Sequence, residues 1–320
     1  MRKRPICFTA FLFCFSLSCR AQAIDNTASF RNIQGEKYFR IHYENDFFSA
    51  ADWYYSQGVN LELVHPALNK FPLSTILVHP KKVKIKFGVS LEQDVYTPTS
   101  IRHNEVLYGN RPYSGVLLMK TFLIAVDTIK NERFSSSISA GVIGSSAGGK
   151  ETQTSIHRRT GNFLPLGWQH QIKNDLALNY QVDFEKKIFT NNFFLLNGCG
   201  EVRAGTLNDK ISMGIVAMAG YFDSPFQLPG KRKIFRIHFY DQPMISAVGY
   251  DATLQGGLFN RNSEYTISSG DLIRLTLQNN LGIVFNIGKI NLEYFQSFLT
   301  REFSSGDSHN WGGVRMAIIL

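Results

Sequence analysis

Residues 175–187 read "DLALNYQVDFEKK", and the spacing in this stretch decides the fold. Leu176, Leu178, Tyr180, Val182 and Phe184 fall on one side of an extended chain, with Ala177, Asn179, Gln181, Asp183 and Glu185 on the other. Side chains alternate across a strand, so one face is apolar and the opposite face polar along the whole stretch. The same period runs through "KKVKIKFGVSLEQD" at 81–94 and closes the chain in "RMAIIL", where Met316, Ile318 and Leu320 share a face. Alternation over 9–13 residues exceeds a typical soluble strand and suits a tilted strand crossing an outer membrane. No stretch spans a bilayer as a helix after the first 23 residues. The best candidate, "GVLLMKTFLIAV" at 115–126, is about half the needed length and is broken by Lys120.

Working outward, strands are predicted near 37–45, 57–65, 82–93, 113–126, 134–145, 173–187, 192–205, 209–222, 233–254, 271–286, 289–303 and 310–320. Twelve is an even number, as a closed bacterial barrel requires. Asp241-Gln242-Pro243 would split the ninth strand or mark a bulge in it. The competing reading is a large soluble sandwich or lipocalin-like barrel. Polarity kept to one face through whole strands, with aromatics near strand ends, favours an all-β, twelve-stranded antiparallel transmembrane barrel.

The chain has 320 residues, 44% hydrophobic and 13% aromatic. Arg2, Lys3 and Arg4, the apolar run from Ile6 to Cys19, and Ala21-Gln22-Ala23 read as a cleaved signal at 1–23, leaving one barrel domain over 24–320. Only Cys199 then remains of four cysteines, so no internal disulfide is expected. Removing Arg2, Lys3, Arg4 and Arg20 lowers the net charge of +9 by four, to +5. That mild excess suits a phosphate-bearing partner without specifying one, and nothing indicates a nucleic acid.

Counting from a periplasmic N-terminus puts the connections at 46–56, 94–112 and 146–172 on the outer rim, and the short ones at 127–133, 190–191 and 287–288 on the other. The first outer loop offers Glu44, Asn45, Asp46 and Asp52, hard oxygen donors suited to calcium, or simply side-chain turns at a strand end. The second ends in "GNRPYSG", where Arg111 presents a fork for phosphate or carboxylate and Tyr113 reads as interfacial. The third, "GKETQTSIHRRTG" at 149–161, has helix-compatible residues closed by Gly161 and carries His157, a candidate general base or a solvated surface histidine. Trp168 stands where an interfacial belt would put it. Gly144-Ser145-Ser146-Ala147-Gly148 satisfies G-x-S-x-G, but without alternating strands and helices it reads as a flexible loop.

Together these stretches resemble the outer-membrane lipid A 3′-O-deacylase family of twelve-stranded barrels. The motif E-N-D-x-F-x-x-T-D-x-x-Y-T-x-G reads here as Glu44-Asn45-Asp46, Phe48, Asp52, Tyr55, Ser56 and Gly58, with Ala51 and Ser56 in place of threonines. Further matches are Tyr96-Thr97-Pro98, Asn110-Arg111-Pro112-Tyr113-Ser114-Gly115, His157, Gly167-Trp168, Gln171-Ile172 and Asn174, with Asp175 in place of glutamate. The resemblance implies calcium-dependent ester hydrolysis on lipid A in the outer leaflet by a monomer. Asp46 and Asp52 would hold Ca2+, His157 would activate water, and Asn45 would orient ligands or substrate. Arg111, Tyr113 and Trp168 would face the substrate, between the barrel wall and the 150–159 helix. The alternatives are a non-catalytic channel or adhesin, and a serine phospholipase using Ser145 or Ser146.

Overall fold

The computed structural model describes residues 29, 32–49, 53–227 and 234–320. The expected signal at 1–23 and the candidate ligand Asp52 lie outside the described residues. Twelve strands run β1 Tyr38–Asn45, β2 Tyr54–Val64, β3 Lys84–Thr97, β4 Ser114–Asp127, β5 Glu132–Ile143, β6 Asp175–Thr190, β7 Phe194–Gly205, β8 Asn208–Tyr221, β9 Phe235–Asp251, β10 Leu275–Ile287, β11 Ile290–Leu299 and β12 His309–Ile319. Each pairs antiparallel with its sequence neighbours, and β12 returns to β1 from Tyr38↔Ile319 to Asn45↔Gly312, closing the barrel. Closure leaves no edge to satisfy in lipid. Among the described residues two helices lie in connections, α1 at Gly149–Thr160 and the one-turn α2 at Ala252–Gln255. No helix among the described residues is long and apolar enough to cross a membrane.

The predicted alternation is realised strand by strand. On β6, Leu176, Leu178 and Phe184 are exposed on the outer wall while Ala177, Asn179, Gln181, Asp183 and Glu185 are buried in the lumen. The predicted break at Asp241-Gln242-Pro243 is a skip in one ladder only. Pairing with β8 passes from Met244↔Gly214 to Asp241↔Ala217, while pairing with β10 continues through Pro243↔Asn279. Proline lacks the N–H that side of the ladder would use, so the strand survives with one face unpaired.

Paired charges project into the lumen. Arg40 pairs with Glu62 at 2.9 Å, Lys120 with Glu92 at 3.5 Å, and both Arg203 and Lys210 with Glu201 at 3.2 Å. Arg133 pairs with Glu185, and Arg315 joins Glu293 and Glu44. Charges this deep persist only with partners. The interior is therefore crossed by ion pairs that tie strand to strand.

Candidate active site

Connections that follow odd-numbered strands gather on one rim, as the parity count expects. Leu166 N–H donates to the Ile101 carbonyl at 2.8 Å, and Ile172 N–H to that of Tyr113 at 2.9 Å. Two connections the sequence reading left out, 252–274 and 300–308, join them: the Tyr265 hydroxyl donates to the Asn110 carbonyl at 2.9 Å and Ser305 Oγ to that of Gly109 at 2.7 Å.

Helix α1, predicted over 149–161, lies against the outer wall. Outward-facing Gly115 permits this, since a Cβ there would come within 3.2 Å of Gly149 N. Further along, Thr152 Oγ1 donates to Gln93 Oε1 on β3 at 3.1 Å, and Gln153 Nε2 reaches Ser56 Oγ on β2 at 3.4 Å. The helix thus steps from β4 to β3 to β2 as it advances. It ends at Gly161, whose φ of 73° is the left-handed turn that glycine takes freely.

At the end of β1, Asn45 folds the first loop. Its Oδ1 accepts the Phe47 N–H at 2.8 Å, and its Nδ2 donates to the Ser56 carbonyl at 2.6 Å. Ser56 is a bulge: the β2–β3 ladder passes from Tyr55↔Tyr96 to Gln57↔Val95 and leaves it out. Its hydroxyl lies 2.7 Å from Thr97 Oγ1. Asp46 follows Asn45, buried at the start of a 3-10 turn. Glu44 points the other way, into the lumen, where it accepts the Trp311 indole N–H at 2.6 Å.

His157 sits one turn beyond Gln153 on the same side of α1. Its Nδ1 is 2.6 Å from the Phe163 carbonyl oxygen. A carbonyl only accepts, so Nδ1 carries a hydrogen, which in the neutral ring puts the lone pair on Nε2. Gln57 was missed by sequence reasoning. It stands opposite Asn45 in the β1–β2 ladder, outward by alternation from Leu61 and Leu63. It is 2% exposed, and its Nε2 donates to no partner among the described residues. A glutamine between Ser56 and Gly58 gives no signal in sequence, because only the bulge beside it and the helix above it make it unusual.

Three expected substrate-facing residues are turned elsewhere. Arg111 is 1% exposed, ion-paired to Glu302, donating to Thr253 Oγ1 at 2.6 Å and stacked 4.3 Å over the Tyr96 ring. A guanidinium taken under the loops needs a buried carboxylate, and the 300–308 connection supplies one. Burial pushes the Glu302 carboxyl up, and the Arg111 guanidinium beside it pulls it back toward the ionised form. Tyr113 and Trp168 are buried with ring centroids 4.8 Å apart, the phenol donating to the Leu166 carbonyl and the indole to Gln153 Oε1 at 2.8 Å. Burial also raises the Tyr113 hydroxyl above its usual range. These rings brace α1 instead of forming a lipid belt, because each polar tip finds its partner inside. Ser145 Oγ donates to Asn174 Oδ1 at 3.1 Å, and the glycine-serine stretch serves as the turn into α1. Asp175, in the glutamate position of the motif, accepts the Phe259 and Asn260 N–H groups at 2.8 and 2.9 Å and so anchors the 252–274 loop.

The donors at the Asn45–Ser56 corner are oxygens: the Asp46 carboxylate, the Ser56 carbonyl, and the Ser56 and Thr97 hydroxyls. Such a set suits a hard cation. No group of three or more His, Cys, Asp or Glu converges among the described residues, so any calcium here would draw on main-chain and hydroxyl oxygens as well.

The sequence matches the family described as outer membrane protein LpxR over residues 7–320. The chain belongs to the LpxR family. LpxR from Salmonella typhimurium shares the fold, with 18% identity and a TM-score of 0.73, covering 88% of this chain and 100% of that one. The β domain of the Bordetella autotransporter BrkA matches more loosely, at 7% identity and a TM-score of 0.48 over 89% of this chain and 98% of that one. No curated protein matches the sequence. Family membership makes this an outer-membrane barrel, and the LpxR resemblance drawn from its loops is the one the whole chain bears out.

Proposed function

We propose that this LpxR-family barrel is a lipid A deacylase, hydrolysing the ester that holds the 3′-acyl group, with calcium as cofactor and its loop rim in the outer leaflet. The observation that carries the reading is the His157 ring, held through Nδ1 by the Phe163 carbonyl on a helix docked to the lipid-facing wall. At about 1.5 Å per residue, one more turn beyond Gln153 carries α1 about 6 Å on, roughly one strand spacing, from β2 toward β1 and Asn45.

In this reading His157 Nε2 takes a proton from water as the oxygen attacks the ester carbonyl, then returns it to the leaving sugar oxygen as the acyl C–O bond breaks. Gln57 Nε2 donates to the carbonyl oxygen as negative charge builds there. Asn45 fixes the turn that presents Asp46. Asp46, Asp52 and neighbouring main-chain oxygens would hold calcium, which when bound supplies positive charge beside the ester carbonyl.

Lipid A from cells expressing the chain, read by mass spectrometry, tests this. Loss of the 3′-acyl mass is expected with the native chain. It should disappear with His157→Gln, where loss of a general base typically costs 10²–10⁴-fold, and on calcium chelation. Unchanged lipid A from correctly folded native barrel would overturn the proposal. The channel alternative is disfavoured by the ion-paired lumen.

A further inference from the structure

The connection between β2 and β3, residues 65–83, starts on the rim of short turns and does not hang below the barrel. It forms two 3-10 turns, Pro66–Lys70 and Pro72–Ile76, each opened by its proline. It then climbs the outside of the wall. Leu77 is buried against Leu123 and Ala125, with Phe87, Ile138 and Tyr180 around it. On these strands Lys120, Glu92, Ser139 and Gln181 occupy the lumen-facing register, so all five wall residues belong to the lipid side.

Main-chain groups of this strap are met by the wall. Val78 N–H donates to the Tyr180 hydroxyl at 2.9 Å, that hydroxyl donates to the Ile76 carbonyl at 3.2 Å, and Ser136 Oγ donates to the Val78 carbonyl at 2.7 Å. Ser136 would otherwise be a hydroxyl facing lipid. It lies four residues in from Glu132, or about 13 Å along the strand, so the strap reaches well beyond the rim.

What the strap shows outward is apolar in the middle and basic at both flanks. Leu73, Ile76 and Val78 are 41–61% exposed. Lys70, Lys81 and Lys82 are exposed, and no carboxylate pairs with them among the described residues, whereas Lys84 and Lys186 pair with Glu36 and Glu132. Lys82 takes a left-handed φ of 60°, turning the chain back into β3. The outer faces of the strands beneath it run on from Tyr180 to exposed Leu178, two residues along β6, and from Phe87 to exposed Leu91, four residues along β3. Lipid is the occupant of that wall, so lipid is the occupant that continuity assigns to the strap.

We propose that residues 66–82 are a foot set in the phospholipid leaflet at the turn rim, with Leu73, Ile76 and Val78 among acyl chains and Lys70, Lys81 and Lys82 on the phosphates of anionic phospholipid. This rests on the barrel's membrane seat and not on the catalytic reading, so loss of hydrolysis would not bear on it.

The test uses the full barrel reconstituted in phosphatidylcholine vesicles with or without phosphatidylglycerol. A fluorophore attached at Val78→Cys should be quenched by brominated acyl chains and shielded from aqueous iodide. Native mass spectrometry should show phosphatidylglycerol retained by the native chain, and on the order of tenfold less on Lys70→Glu/Lys81→Glu/Lys82→Glu. Heat-modifiable gel mobility confirms that each variant is folded. Iodide access with no quenching by lipid, equal retention by a folded charge-reversed variant, or a cross-linked second copy through position 78 would each overturn the proposal.

Discussion

The Trp168 indole donates to Gln153 Oε1 at 2.8 Å, tying the end of one loop to the middle of α1 over the barrel's outer wall. Gln153 in turn reaches Ser56, and Ser56 is held by Asn45. Gln153→Ala would strand a buried indole N–H at a local cost of about 1–3 kcal/mol. Faster amide hydrogen exchange across 149–160 is the expected outcome, with barrel exchange unchanged. Lipid A turnover should fall with it.

Arg111 and Glu302 lock together the 98–113 and 300–308 connections. Arg111→Ala leaves a buried carboxylate unpaired, costing about 3–5 kcal/mol of rim stability, and Arg111→Ala/Glu302→Ala should recover part of that. Denaturant unfolding in micelles reads this. If Arg111 instead held a substrate phosphate, the single variant would lose turnover at unchanged stability.

His170 clasps three loops, with Nδ1 2.7 Å from Glu264 and Nε2 2.8 Å from the Asn104 carbonyl. The Glu264 carboxylate raises this histidine above its ordinary 6.5. A raised value means the clasp contributes fully below pH 6.5 and is lost as pH climbs through the folded-state value. Proteolysis within 98–113 should therefore quicken as pH rises above 6.5, and His170→Gln should remove that pH dependence.

Gly115 is the seat of α1. Gly115→Val would drive its side chain into Gly149 N and Ala147 Cβ, which a Cβ alone would approach to 3.2 and 3.3 Å. Turnover should drop by an order of magnitude or more, while heat-modifiable mobility of the barrel stays native.

Gln57 offers the sharpest separation of roles. Gln57→Glu keeps the shape and replaces the donating amide by a carboxylate. A fall of roughly 10²–10³ in kcat with little change in KM is expected if Nε2 meets the developing oxyanion. Equal losses in Gln57→Leu and Gln57→Glu stability with intact kcat would show a packing role instead.

The wall of this molecule was legible because period two is a local property: each residue of 175–187 declares its face without knowledge of any other strand. The α1 helix was legible for the same reason, through Gly161. Partner choice was not. Arg111 is a plausible phosphate fork in "GNRPYSG", and only the return of a loop 191 positions later shows its charge already matched. Trp168 looks interfacial until α1 folds over it, and Gln57 looks ordinary until Ser56 bulges beside it. The strap at 65–83 was invisible because proline-rich 3-10 turns have no periodicity to read.

The ion pairs that crowd the bore have a consequence for the cell that carries this protein. A hole of twelve strands would admit small toxic solutes, and its abundance would be limited by that leak. With Arg315, Glu293, Arg133 and Glu185 bracing its inside, the same charges that tie strand to strand also stand across the route a small solute would take.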